Sequence, residues 1–219
     1  MLLAVTLVAF GLAVAPTPAA HAVPGVCPPI CDAVPDSAWI VPIDIPLYPV
    51  YRWPGLAGLA VTAAAPRFIF EEFCASPAVP GDPRAYAVAA SARVTKPAGQ
   101  WQLRAQVMHW RGDAAQNEPL VRSVLDTAGS RLRSCQSTAP LVSPSLTTSD
   151  PERIAAVISV AGRQVVHQYL LAHPASGTIV ELALWSPLPA LVPWPAVPDV
   201  QVFDALEAPL CQAYLGSCR

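Results

Sequence analysis

QWQLRAQVMHW (residues 100–110) is followed, after a short polar stretch, by NEPLVRSVLDTAGSRLRSC (117–135). The change of period between the two decides the fold class. In the first, Trp101, Leu103, Ala105, Val107 and His109 alternate with Gln102, Arg104, Gln106 and Met108, which is the two-residue repeat of a strand. In the second, Val121, Val124, Leu125, Ala128, Leu132 and Cys135 recur at three- and four-residue steps. That is the repeat of a helix lying on an apolar surface. Asn117 suits the N-cap and Pro119 the first turn.

Working outward, RFIFEEFC (67–74) and AYAVAASARVT (85–95) read as strands, and KPAG (96–99) as the hairpin loop into 100–110. QSTAPLVSPSLTTSDP (136–151) reads as a polar loop. Three more strands follow: ERIAAVISVA (152–161), RQVVHQYLLAH (163–173) and TIVELALWS (178–186), with PASG (174–177) turning between the last two. A closing helical segment begins at Asp199 or Asp204. Asp204 and Glu207 have capping-box spacing, and Pro209 should break or kink the segment. The order is βββα-βββα. The expected class is α+β: a twisted, mostly antiparallel sheet of about six strands, with two main helices packed on one face.

The ends of the chain give the compartment. Residues 1–22 contain no Lys, Arg, Asp or Glu, and an apolar run to Ala15 is followed by PTPAAHA. This predicts a signal peptide cleaved after Ala22. The run is too short for a bilayer, which needs roughly 20 apolar residues. A leader without a positive n-region suggests a true start upstream of Met1. Val26 before Cys27, with Pro24-Gly25 ahead of it, does not fit a lipoprotein signal. ELALWSPLPALVPWPAVP (181–198) is apolar, but its prolines forbid a long helix, so no stable membrane span is expected. Residues 23–66 form a proline-rich arm and residues 67–219 the α+β domain. The arm is too apolar for a solvated linker. It should lie across the domain, burying Trp39, Ile43, Ile45, Tyr48 and Trp53.

A formal net charge of −2 does not favour nucleic acid as a partner. Lys96 is the only lysine, and with abundant Ala, Pro and Val this is the codon bias of a GC-rich bacterium such as an actinobacterium. Six cysteines in an exported chain point to disulfides. Cys27 and Cys31 are spaced C-x3-C, which fits neither a zinc knuckle nor a C-x-x-C redox motif. Cys74 and Cys135 end a strand and a helix, and are expected to pair. For the other four, a local Cys211–Cys218 bridge through Gly216 is sterically easy. The expected arrangement is nevertheless long-range, with Cys27 and Cys31 each bridged to Cys211 or Cys218, because Pro28 and Pro29 resist a local ring and long loops gain most.

Chemistry is sparse. There is no phosphate loop, dinucleotide fingerprint, nucleophile elbow or zinc-hydrolase motif, so no cofactor or metal is implied. His109 lies on the apolar face of its strand. His167 and His173 share a face about 20 Å apart at the usual rise. Glu71 and Glu72 are adjacent, so one should point inward. WSPLPALVPWP (185–195) offers Trp185 and Trp194 as the rim of an apolar ligand site. The function expected is a secreted cell-envelope protein without catalysis, binding an apolar or glycan ligand or an envelope protein. The alternatives are a hydrolase using His109 or a buried Glu71 or Glu72, and a structural interaction protein using its arm.

From 117 onward the chain has a helix ending in LRSC, a polar loop, three strands and a closing helix. In this it resembles the exported sensor-type domains of mycobacteria, among them the extracellular domain of the PknH kinase and its secreted relatives. The resemblance covers about residues 67–215. It implies an α+β domain with a cleft for an envelope ligand, and implies no catalytic residues. The chain departs from that pattern in having no cysteine in 153–186.

Overall fold

The computed structural model describes residues 32–218; the expected signal peptide and Cys27 and Cys31 lie outside them. Short 3-10 turns at Asp36–Ala38, Pro42–Asp44 and Ala57–Leu59 surround α1 (Tyr48–Tyr51) in the arm. Then come β1 (Val61–Thr62), α2 (Ile69–Phe73), β2 (Val88–Val94), β3 (Gln102–His109), α3 (Ala114–Thr138), β4 (Val142–Ser149), β5 (Arg153–Val160), β6 (Gln164–His173), β7 (Thr178–Pro187) and α4 (Asp199–Ala213).

The strands make one sheet, ordered β1-β2-β3-β7-β6-β5-β4. Every pair is antiparallel. β4 to β7 run as successive hairpins, and the last strand returns beside β3. The α+β class therefore holds, with seven strands and an α3-centred order in place of the doubled βββα unit.

Alternation sorts the sheet's side chains onto two cores. Leu103, Ala105, Val107, Tyr169, Leu171, Val180, Leu182 and Leu184 meet α4 and the arm. Met108, Val166, Leu170, Ile179 and Ala183 meet α2 and α3. The two long helices thus cover opposite faces, not one. Both faces of the central strands are buried, which explains the near-continuous apolar run of β7.

Several local expectations are corrected. RFIFEEFC is a helix, because two carboxylates satisfy its first amides: Phe68 N donates to Glu71 Oε2 at 2.9 Å, and Ile69 N to Glu181 Oε1 at 2.5 Å. Its sequence carries no trace of the second, which comes from β7. The polar loop after α3 contains β4, an edge strand whose outward residues alternate exposed with half-buried; Ser and Thr there read as loop because only one face is covered. α3 starts earlier than expected, capped by Asp113, whose side chain accepts from Ala115 N at 3.0 Å. Asn117 is buried and ties the helix back to the chain before it, donating to Trp110 O at 2.8 Å. Pro119 therefore lies inside the helix. α4 runs through Pro209, and Asp204 and Glu207 face Arg153, at 3.8 and 2.8 Å, instead of forming a capping box.

The arm docks as expected through Trp39, Ile45 and Trp53, but Ile43 is 66 % exposed and Tyr48 only half-buried. Trp53 Nε1 donates to Pro46 O at 2.8 Å, and Trp101 N donates to Tyr51 Oη at 3.3 Å. The arm also supplies β1, which pairs with β2. Cys74–Cys135 is bonded as expected. Cys211 and Cys218 are bonded to each other, which removes both from pairing with Cys27 and Cys31. The arm is held by burial and by β1, since the short ring through Gly216 closes more readily than a link across the domain.

Candidate functional site

The buried polar groups gather on the α2 face. Arg104 and Gln106 of β3, Gln168 of β6 and Glu181 of β7 lie on the face that α2 covers; alternation in 100–110 sets Arg104 and Gln106 opposite the apolar face. Arg104 Nη2 lies 3.1 Å from Glu181 Oε2 and its Nη1 lies 3.0 Å from Glu72 Oε1. Arg104 also donates to Arg67 O. Gln168 Nε2 donates to Glu181 Oε1 at 3.1 Å. Glu181 is wholly buried, and that burial raises its pKa against the pull of Arg104 and the Ile69 amide.

Glu71 is the other buried carboxylate, so the expectation that one of the Glu71–Glu72 pair points inward holds; Glu72 faces outward. Burial opposes its ionisation, but Arg84, the Phe68 amide and Arg131 together hold its carboxyl below the usual value. Arg84 Nη1 is 2.6 Å from Glu71 Oε2 and Arg131 pairs with the other oxygen. Asp82 closes the set at 2.6 Å from Arg84. The cavity beside these groups is only about 40 Å³, room for roughly one ordered water. This is a pinned structural cluster beside a small cavity.

The histidines lie on the other face. His109 pairs in register with Thr178, and Thr178 with His173, so these three sit side by side across β3, β7 and β6. His109 Nδ1 is 3.1 Å from Thr178 Oγ1 and its ring stacks on Tyr214 at 4.5 Å. Burial pushes its imidazole down to about 4. His167 stacks face to face on Trp194 at 3.6 Å, with Trp101 tilted against both, and burial likewise pushes it down to about 4. Trp194 is thus packing for the crossing segment 188–198, which Trp101 Nε1 also anchors by donating to Val192 O at 2.7 Å. Trp185 lies on the opposite face beside Arg93. Trp185 and Trp194 therefore do not form a common rim.

Among the described residues, a larger space lies between the arm and α4. Val202, Phe203, Leu206 and Leu210 turn one face of α4 to the sheet. Ala205, Ala208, Pro209 and Gln212, at i, i+3, i+4 and i+7, turn another toward the arm. Two of these are alanines, so the gap is under-filled and leaves a cleft of about 300 Å³. Its floor is Trp39, Ile40 and Leu56, all buried, and Asp36, Asp44 and Gln212 stand at its edge. The volume is at the lower end of the range for ligand sites, and the lining is apolar with a few polar anchors, as such sites are. Reading the arm as docked predicted burial there but not this cleft. The signal was the Ala205–Ala208 step, which is legible only once α4 is known to pass through Pro209.

Among the described residues, no helix is long and apolar enough to cross a membrane. Two disulfides and a sheet covered on both faces define the class of protein: a stapled α+β domain with an apolar cleft beneath a proline-rich arm. No protein-family model matches the chain, and no curated protein or solved structure matches it significantly.

Proposed function

We propose that the protein is an exported cell-envelope domain that holds a small apolar or amphiphilic molecule between its arm and α4, without catalysis. The observation that carries this reading is the cleft of about 300 Å³ with an apolar floor and two carboxylates at its mouth. A ligand that suits it has an apolar body of drug-like size and a hydroxyl, amine or other donor at one end. A glycan suits it less, because Trp39 presents little exposed ring for stacking. Export agrees with the uncharged leader and with the disulfides. A sensor-like role, in which occupancy of the cleft is reported to a partner, is what the resemblance to the mycobacterial sensor domains adds.

The hydrolase alternative has less support. Glu71 is occupied by two arginines beside a small cavity, and His109 lies under Tyr214.

Native mass spectrometry of protein purified from its own host tests the reading. The expected result is a retained small-molecule mass, together with Nile red fluorescence that the Ala208→Phe variant abolishes. Ala208 is exposed at the cleft, so the larger ring fills the cleft and leaves the core intact. Absence of both retained ligand and variant-sensitive dye binding would overturn it.

A further inference from the structure

His173 of β6 and the cystine Cys211–Cys218 place one imidazole nitrogen and two sulfurs within 4.8 Å of one another. His173 Nε2 lies 3.6 Å from Cys218 Sγ. A tetrahedral zinc with Zn–S of about 2.3 Å and Zn–N of about 2.0–2.1 Å puts a sulfur and a nitrogen ligand about 3.6 Å apart. The imidazole thus already stands at ligand distance from one sulfur.

Ser176 stands at the other ring nitrogen. Its Oγ lies 2.7 Å from His173 Nδ1 and 3.3 Å from His173 O. A cystine sulfur carries no hydrogen, so in the oxidised chain Nε2 is the donor of its contact with Cys218. Moving that proton to Nδ1, where Ser176 Oγ can accept it, frees the Nε2 lone pair and gives the outer hydrogen bond found on metal-ligating histidines.

The two cystines differ in access. Cys74 and Cys135 are 0 and 1 % exposed, whereas Cys211 is half-buried and its bridge spans only seven residues near the end of the chain. We propose that the Cys211–Cys218 bridge closes over a latent metal site, and that reduction opens it to a thiophilic divalent cation such as Zn²⁺, bound by Cys211, Cys218 and His173.

The steps balance. Two thiols of a reductant supply two electrons and two protons, leave as a disulfide, and convert the cystine to two thiols. The imidazole proton passes from Nε2 to Nδ1, and zinc then displaces both thiol protons and takes the Nε2 lone pair. The sulfurs separate from bonded contact to about 3.8 Å, the edge of the same tetrahedron. A fourth position remains open to water.

The test is a Co²⁺ titration of the folded chain, oxidised and then mildly reduced under nitrogen, followed by zinc competition. The expected result is one cobalt per reduced chain, with thiolate-to-cobalt charge-transfer absorption and tetrahedral visible bands. Oxidised protein gives neither. Ser176→Ala, which removes the outer hydrogen bond together with the hydroxyl's bond to His173 O, should weaken binding by about tenfold or more. His173→Ala and Cys218→Ser should lose the tetrahedral bands. A Cys27→Ser/Cys31→Ser chain should keep them. The proposal is overturned if reduced protein shows no thiolate–cobalt band, if the band survives unchanged without His173, or if it disappears with Cys27 and Cys31.

Discussion

Replacing Arg104 by leucine probes the polar cluster beneath α2. The side chain is 9 % exposed, its partner Glu181 is fully buried, and the two lie 3.1 Å apart. Removing one member of such a pair typically costs about 3–5 kcal/mol, because the other charge is stranded. Here the lower end is expected. Glu181 keeps the Ile69 amide and Gln168, and it can escape by taking a proton, since burial already raises its pKa. The sign follows from linkage. A carboxyl whose folded pKa lies above its unfolded value binds more protons when folded, so stability falls as pH rises through that interval. Arg104→Leu lifts the folded value further and widens the interval. The penalty should therefore be about 3 kcal/mol near pH 8 and smaller near pH 5. Urea unfolding of wild type, Arg104→Leu, Glu181→Leu and the double variant at both pH values measures it. The double variant, with neither charge present, should be less destabilised than the sum of the singles by more than about 1 kcal/mol. Additive singles, or a penalty independent of pH, would refute the reasoning.

The disulfides should differ in worth. The chain-entropy relation gives about 4 kcal/mol for a loop like that of Cys74–Cys135 and about 2 kcal/mol for one like that of Cys211–Cys218, whose separations are 61 and 7; paired Ala variants compared by thermal unfolding test the order. His109 and His167 have pKa values lowered from 6.5 to about 4 by burial. The unfolded chain then binds more protons between those values, so stability should rise with pH across that window. His167→Phe should flatten part of the rise in urea midpoints, which the raised pKa of Glu181 opposes. Gly177→Ala should cost about 1–3 kcal/mol by the same melts, because φ is +61° and a Cβ would come within 3.0 Å of Asn117.

What was legible in the sequence is what local periodicity controls. β3, β5, β6, β7 and α3 are long enough for their repeats to declare themselves, and His167 and His173 share a face as the strand period requires. The failures share one cause. α2 is capped by Glu181, more than a hundred residues away, so its helical state is not written in RFIFEEFC. Arg104 and Gln106 looked like solvent residues because alternation says which residues share a face, not whether a helix covers that face. β4 looked like loop because an edge strand needs few apolar residues. The cleft depends on how α4 lies against the arm, and its short Ala205 and Ala208 side chains mean nothing until the opposite wall is in place.

The two faces of the sheet are built differently, and the proposed binding role rests on that difference. Under α2 the fixing groups are directional: buried ion pairs and a buried cystine, each intolerant of displacement. The only cavity described there holds about a water. Over the other face the arm is rich in proline, and its attachment rests on apolar contact, the short β1–β2 pairing and the bond from Trp101 N to Tyr51 Oη. Apolar contact is non-directional. The part of the arm that faces α4, before β1, is held to α4 by such contact, outside the sheet ladder. The proposed ligand exchange needs such a boundary, and the cleft lies along it.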